Sequence, residues 1–293
     1  MTNPPAEPWT TLSLLNWTKE HFERHEVDSP RLSAEILLAH SLRCLRIDLY
    51  TRFDYRPTPE ELADFRRNVR RASRQEPVAY LVGEKEFYSL RFKVTPDVLV
   101  PRPETELLAQ AAIGHLRGLG RPGAAWDVCT GSGCVAIALA VRVPDATVLA
   151  TDISPEALAV AEENARLHHV QERVTFRVAD LLARPEDRDA AQRFDVIAAN
   201  PPYVGEKDWV SPGAKHEPRR ALYAGTDGLD CIRRIVAAAP DALAAGGLLA
   251  IEFGYRQADA VRDLVVLTGR FDEPLILRDH QGIERTALAK KRL

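Results

Sequence analysis

The chain has 293 residues, long for one ordinary domain and comfortable for two, with enough length to bury at least one sizeable core. Hydrophobic residues make up 45% and charged residues 28%, the balance of a soluble globular protein. A formal net charge of −3 excludes an overall basic field that would capture nucleic acid wholesale, and leaves only a local basic face open.

The opening stretch MTNPPAEPWTTLSLL carries no basic leader ahead of an apolar core, so no signal peptide is expected. The longest apolar runs, such as Leu248 to Ile251, fall far short of a membrane span. The four cysteines, Cys44, Cys129, Cys134 and Cys231, lack metal-ligand spacing. Cys129 and Cys134, around a glycine loop, are expected to pack as small reduced side chains. A cytoplasmic protein without metal or membrane partner is the expectation.

In chain order, the first 76 residues read as a helical domain. Leu12, Leu15 and Phe22 share a face of a helix starting near Thr10. Ser29-Pro30 reads as an N-cap and first-turn pair leading into Ile36, Leu37 and Leu38. Thr58, Pro59 and Glu61 form a capping box that opens a helix to about Ser73. That helix carries Arg66, Arg67, Arg70, Arg71 and Arg74, either a solvated face or a surface for docking a partner. Residues 77–103 read as a hairpin around Phe87, Leu90 and Phe92, followed by the proline-stiffened linker PDVLVPRP.

From about Glu104 to the end, short apolar strands alternate with helices. The strands are expected at Ala125–Val128, Thr147–Ala150, Val174–Val178, Asp195–Ala199, Leu248–Phe253 and Pro274–Leu277. Helices fit at Val135–Val141, Pro155–Leu167, Gly228–Ala244 and Arg256–Thr268. This alternation predicts an α/β, Rossmann-like domain over 104–293, its parallel sheet covered by helices on both faces. The tail Glu284–Ala289 is expected to add an antiparallel edge strand. His168 and His169 sit at a helix end, where surface groups beside the negative dipole end are expected. Trp126 is expected to pack beside the first strand of this domain.

After that strand comes Asp127-Val-Cys129-Thr130-Gly131-Ser132-Gly133, with a helix following. Glycines at such a turn let the backbone approach a ligand, and the helix N-terminus offers unpaired N–H groups. Asp152 ends the second strand, where a carboxylate accepts from both ribose hydroxyls of an adenosine. Asp180 follows the third strand, positioned to meet the adenine. Gly131, Gly133 and Ala136 also satisfy the dinucleotide pattern G-x-G-x-x-A, so the loop alone leaves a nicotinamide enzyme open. Asp127, just ahead of the glycines, fits the amino group of S-adenosylmethionine, which has no pyrophosphate.

The fourth strand ends in Asn200-Pro201-Pro202-Tyr203. Two prolines make a stiff loop whose carbonyls have no competing donors. Such a loop suits a planar amide or an aromatic amino group. Asn200 would accept one N–H, the Pro201 carbonyl the other, and Tyr203 would pack on the plane. The delocalised lone pair of such a nitrogen must be drawn out of conjugation and aimed at a methyl group, which no metal or strong base is needed to do. The motif thus fixes transfer to nitrogen and leaves adenine N6, guanine N2 and glutamine amide as acceptors.

Resemblance separates these. Arg74-Gln-Glu-Pro-Val-Ala-Tyr80, Gly83-Glu-Lys-Glu-Phe-Tyr88 and Val100-Pro-Arg-Pro-Glu-Thr-Glu106 resemble the peptide chain release factor glutamine methyltransferases. So do Glu217-Pro218, Ala221-Leu222, Gly225 to Leu229, Glu252-Phe-Gly254 with Gln257, and Asp279 with Gly282 and Arg285. The likeness runs from about residue 10 to 290. It implies a small helical domain, a hairpin linker and a seven-stranded S-adenosylmethionine-dependent methyltransferase domain. It also implies a cofactor loop at Cys129 to Gly133, Asp152 on the ribose, Leu181 against the adenine and Asn200 near both substrates. The acceptor would be the glutamine of the Gly-Gly-Gln loop of release factors, gripped at a distance by the helical domain, with no direct nucleic-acid partner. Two positions depart: Cys129 stands where the family usually has glycine, and Leu181 where some members have an aromatic residue. A nucleic-acid amino-methyltransferase is the main alternative, but its expected basic groove or added RNA-binding module is not found. A non-catalytic binding protein on the same scaffold is disfavoured by the joint presence of Asp127, Asp152, Asn200 and Tyr203.

Overall fold

The computed structural model describes residues 9–183 and 192–293, and the first eight residues of the expected helical domain lie outside that range. The chain divides into two units. One holds the described residues up to Glu84 with Ser211–His216, and the other holds Lys85–Val210 and Glu217–Leu293.

The first unit is helical: α1 (Thr11–Arg24), α2 (Pro30–Ser41), α3 (Asp48–Thr51), α4 (Pro59–Ala72) and α5 (Val78–Val82). Its core is the apolar face of three of these helices, Leu14, Leu15 and Phe22 from α1, Leu37 and Leu38 from α2, and Phe65 and Val69 from α4. The capping box at Thr58 is present in both directions. The Glu61 amide donates to the Thr58 hydroxyl at 3.3 Å, and the Thr58 amide donates to Glu61 Oε2 at 2.8 Å. The start of α2 falls where expected, with Ser29 at the N-cap and Pro30 in the first turn, but without the side-chain cap. Ser29 has φ +45°. The left-handed backbone swings its hydroxyl away from the helix amides, and the Ser33 hydroxyl bonds the Asp28 carbonyl at 2.7 Å instead. On α4, Arg67 pairs with Asp64 and Arg71 with Glu76, while Arg66 and Arg70, and Arg74 in the turn past the helix end, are exposed.

In the second unit the hairpin β1 (Glu84–Phe87) and β2 (Leu90–Lys93) precedes α6 (Thr105–Gly118). Then come β3 (Ala124–Val128), α7 (Cys134–Arg142), β4 (Thr147–Asp152), α8 (Pro155–Leu167), β5 (Val174–Val178) and β6 (Phe194–Ala199). The chain closes with α9 (Asp230–Ala242), β7 (Leu243–Glu252), α10 (Ala258–Leu267), β8 (Leu275–Arg278) and β9 (Glu284–Lys290). Seven strands form one sheet in the order β5-β4-β3-β6-β7-β9-β8, parallel except for β9. All six residues of β6 are buried, as expected for a central parallel strand covered on both faces. Val196 and Ala198 face a core with α6 and α7, and Ile197 and Ala199 face a second core with α9 and α10.

The tail strand is antiparallel but not at the edge. β9 lies between β7 and β8, and the edge position falls to β8. Ala287 and Ala289 of β9 are fully buried against the α9–α10 core, whereas both ends of β8 are exposed. Burial therefore sets the order. The hairpin is fastened to the seven-stranded sheet unit by α8. Asn164 accepts from the Lys93 amide at 2.7 Å and donates to the Lys93 carbonyl at 3.0 Å, while His168 Nε2 donates to the Arg91 carbonyl at 2.6 Å. Trp126 is fully buried beside Phe194 and donates to the Thr151 hydroxyl at 2.9 Å. Among the described residues no helix is long and apolar enough to cross a membrane.

Candidate functional site

The register of the sheet gathers the singled-out residues. Val128 lies beside Thr151 on one side and Ala199 on the other, so the segments after β3, β4 and β6 leave the sheet side by side, about 4.8 Å apart per strand. Ligands of open α/β sheets bind outside these carboxyl ends.

The loop from Cys129 to Gly133 turns through three left-handed positions, Cys129 (φ +60°), Gly131 (φ +54°) and Gly133 (φ +79°). At Gly133 a Cβ would meet Ala161 Cβ and Ile137 Cδ1 at 3.0 Å, so glycine there permits close packing of α7 on α8. At Gly131 a Cβ would meet no atom of the described residues within 4 Å. Cys129 takes up the backbone angle that its departure from the family pattern demands. Ser132 is buried, and its carbonyl accepts from Asn164 at 2.9 Å, which ties the loop to α8. The Thr130 amide donates to the Thr151 carbonyl at 2.9 Å.

Two carboxylates brace this loop. Asp127, 2% exposed, accepts at Oδ2 from the Thr130 hydroxyl (2.6 Å) and the Ala136 amide (3.0 Å). Burial pushes its pKa up to about 7, against the pull of those two bonds. Asp152 accepts one backbone N–H on each oxygen, from Gly131 at 2.9 Å and from Ser154 at 3.0 Å. Burial raises its pKa too, and the Ser154 and Gly131 amides oppose that. A carboxylate has about four lone-pair sites, so each Asp152 oxygen keeps accepting capacity. Asp180, half-exposed after β5, pairs with Arg234 of α9 at 2.6 Å. Leu181 is buried in the α9–α10 core with φ +54°.

The segment Asn200-Pro201-Pro202-Tyr203 is held from behind. The Asn200 Nδ2 donates to the Thr105 hydroxyl at 3.0 Å. The Tyr203 hydroxyl donates to Glu252 Oε1 at 3.2 Å, and burial raises its pKa. Gln257 donates from Nε2 to the carbonyls of Tyr203 (3.0 Å) and Asp227 (3.1 Å), and its Oε1 accepts from the Gly254 amide at 2.7 Å. Gly228 passes so near that a Cβ would lie 2.2 Å from the Tyr203 carbonyl oxygen. Val204 pairs with the 222–224 segment, its amide donating to the Leu222 carbonyl at 2.8 Å. Pro201 is buried and Pro202 half-buried.

Four residues in these contacts were not among the expected site residues: Thr105, Glu217, Glu252 and Gln257. Glu217, buried, accepts from the Val100 amide at 3.2 Å and from the Arg102 guanidinium, so it docks the proline segment that leads to Thr105. Glu252, 1% exposed, ends β7, and burial pushes its pKa up to about 7. The signal for Glu252 was in the sequence: one carboxylate closing the apolar run Leu248 to Ile251, at a strand end that faces the crevice. Thr105 carried no such mark. Among the described residues no group of three or more His, Cys, Asp or Glu is arranged to hold a metal ion.

Comparison with known proteins agrees with this architecture. The PrmC N-terminal domain matches residues 13–83 and the Methyltransferase small domain matches residues 105–214. The release factor glutamine methyltransferase of Rhodopirellula baltica is 40% identical over 290 residues, covering 97% of both chains. That of Geobacter sulfurreducens is 41% identical over 288 residues, covering 97% of this chain and 98% of its own. A methyltransferase structure from Pyrococcus furiosus, 17% identical, shares the fold over 71% of this chain and 92% of its own, with a TM-score of 0.50. Near-full-length identity at this level, on a sheet with the loops described above, makes the chain a member of the release factor glutamine methyltransferase family.

Proposed function

We propose that this protein methylates the side-chain amide nitrogen (N5) of the glutamine in the Gly-Gly-Gln loop of peptide chain release factors, with S-adenosylmethionine as methyl donor. The observation that carries the reading is the orientation of Asn200. Its Nδ2 is taken by Thr105, so Oδ1 is the end left to accept from an incoming –NH2.

The glycine loop fits the donor. Among the described residues nothing lies within 4 Å of a Cβ built at Gly131, and α7 begins three residues on, at Cys134. Asp152 keeps lone pairs for two ribose hydroxyls, and Asp127 commits Oδ2 to the loop, which leaves Oδ1 for the amino group of the ligand. Leu181 offers apolar surface to the adenine, and Asp180, held by Arg234, is its polar neighbour. When bound, S-adenosylmethionine supplies a methyl group on a positively charged sulfur that leaves as a neutral thioether.

The chain's own part is orientation. Asn200 Oδ1 and the Pro201 carbonyl accept both amide hydrogens, which pulls the nitrogen lone pair out of conjugation and aims it. The Tyr203 ring supports the amide plane. Orientation of this kind contributes up to roughly 7–11 kcal/mol in well-built cases. The helical unit would grip a distant part of the release factor through the exposed arginines of α4, and the work belongs to translation termination in the cytoplasm.

The test is to incubate the protein with labelled S-adenosylmethionine and, separately, release factor, tRNA and DNA. Label is expected on the Gly-Gly-Gln peptide of the release factor alone. Label on a nucleic acid instead would overturn the reading. Replacing Arg66, Arg70 and Arg74 with Glu is expected to raise KM for whole release factor and leave slow methylation of a short Gly-Gly-Gln peptide unchanged; equal losses on both substrates would remove the docking role.

A further inference from the structure

The methyl-acceptor loop depends on which end of the Asn200 amide points outward, and a side-chain amide is nearly symmetric in shape. A flipped Asn200 would offer N–H to an incoming –NH2, donor against donor. What decides the orientation is the hydroxyl it meets. Thr105 Oγ1 carries one hydrogen and two lone pairs, and it presents only lone pairs to Asn200 when that hydrogen is drawn elsewhere.

Glu252 is placed to draw it. Its Oε1 accepts from the Tyr203 hydroxyl at 3.2 Å. Its Oε2 is buried without a partner in full hydrogen-bond geometry among the described residues. The Thr105 hydroxyl faces this carboxylate closely enough to favour its anion. Nothing about filling the end of β7 asks for a charged group, since Ile251 before it and Phe253 after it are fully buried. One carboxylate thus touches both side chains that shape the acceptor loop, the tyrosine directly and the asparagine through Thr105.

We propose that Glu252 and Thr105 are positioning residues for methyl transfer, which lock Asn200 with its oxygen outward and hold the Tyr203 ring in place. The proposal rests on the reading that Asn200 accepts from the acceptor amide. It has a consequence for pH. Glu252 is surrounded by Tyr203 on its loop, Glu104 before α6, Arg285 on β9 and Cys134 at the start of α7, and burial outweighs the pull of Arg285 to bring its pKa up to about 7. Above that value the carboxylate takes the Thr105 hydrogen. Below it the protonated acid donates to Thr105, whose hydrogen then turns to Asn200 and favours the flipped amide. Turnover therefore falls as pH drops through about 7.

The experiment measures kcat, KM for release factor, and S-adenosylhomocysteine binding for the whole enzyme and three variants. Glu252→Gln removes the charge and turns one of the two acceptor oxygens into a donor at nearly constant shape, Thr105→Val removes the hydroxyl, and Thr105→Ser keeps it. We expect Glu252→Gln and Thr105→Val to lose kcat by roughly 10- to 100-fold, with KM and S-adenosylhomocysteine affinity within about twofold. Thr105→Ser should restore most of the lost turnover, and the step in kcat near pH 7 should vanish in Glu252→Gln. Turnover within about twofold of the parent in Glu252→Gln and Thr105→Val, or a Thr105→Ser enzyme as slow as Thr105→Val, overturns the proposal. If Glu252→Gln does not fold, the Val and Ser pair decides. Failure of the unmodified enzyme to label release factor would instead remove the reading of its substrate, so the two failures are distinct.

Discussion

The loop after β3 and the loop after β6 open off neighbouring strands, yet they are built in opposite ways. The Cys129–Gly133 loop draws much of its shape from its own backbone: three residues sit at positive φ, Asp127 braces it from three residues before Thr130, and Asp152 reaches Gly131 from 21 residues on. The Asn200–Tyr203 loop is stiffened by two prolines and pinned by side chains from far away, Thr105 at 95 residues' separation and Glu252 at 49. A loop of the first kind presents backbone N–H groups at a helix start, which suits a ligand that is the same in every turnover. A loop of the second kind holds one geometry, which suits a step whose rate depends on aiming a single lone pair.

The largest expected effect breaks the second loop. Asn200→Ala removes an acceptor from the proposed amide clamp and leaves the Thr105 hydroxyl without its donor. Turnover should fall by at least about 10²-fold, in line with roughly 2.7–4 kcal/mol for a lost preorganised polar group. S-adenosylhomocysteine affinity should change far less. Single-turnover rates with release factor beside calorimetry are the measurement, and near-normal turnover in a folded variant would sink the clamp mechanism.

The complementary change breaks the first loop. Asp152→Ala deletes the acceptor of the Gly131 and Ser154 amides as well as the two proposed ribose contacts. Charge-assisted hydrogen bonds contribute roughly 1.5–3 kcal/mol each, so cofactor affinity should fall by more than about tenfold. At saturating cofactor, kcat should be nearly retained. An unchanged dissociation constant would move the ribose elsewhere.

The same contrast explains what the sequence discloses. Caps, glycine turns and strand-end acids are local signals, so the helix Pro155–Leu167, the glycine loop and Asp152 were all legible. The alternation of apolar strands with helices likewise revealed the sheet. The slot of β9 between β7 and β8 was not legible, because strand order depends on which edge buries Ala287 and Ala289. Ser29 and Pro30 hold the N-cap and first-turn positions that their residue types indicate, but the backbone angle that turns the Ser29 hydroxyl away leaves no mark in those types. Thr105 and Glu252 entered only as members of family-like motifs, and their roles escaped for the same long-range reason: neither has its partner until the fold brings it against residues 200 and 203.

A smaller effect sharpens the comparison through stability. Asp127 has its pKa raised by burial from 3.8 to about 7. A carboxyl raised in this way stabilises the fold fully only below its unfolded pKa, and that contribution is lost as pH rises through about 7. The ligand-free protein should therefore melt at lower temperature at pH 8 than at pH 6. Asp127→Asn should flatten the trend and be more stable than the parent at pH 8 by roughly 1–3 kcal/mol, while binding S-adenosylmethionine more weakly. Thermal melts at the two pH values check this. A variant less stable than the parent at pH 8 would mean the buried anion is better solvated than its surroundings imply.

The smallest effect concerns Cys129, the non-glycine residue of the loop at positive φ. At φ +60° a side chain strains the backbone by about 1–2 kcal/mol, which glycine would relieve. Glycine also adds freedom to the unfolded chain, about 0.5–1 kcal/mol, and removes a thiol packed against the α9–α10 core. These effects oppose one another, so Cys129→Gly should change stability by less than about 1 kcal/mol. Its affinity for S-adenosylhomocysteine should stay within about twofold, since what the loop needs is the backbone angle. Cys129→Val, β-branched at the same position, should lose roughly 1–3 kcal/mol from the same strain without relief. Denaturant melts of the three proteins beside calorimetry separate the cases. If the glycine variant binds ten times more weakly while the fold keeps its stability, the thiol itself touches the ligand and the loop is less purely a backbone device than its dihedral angles indicate.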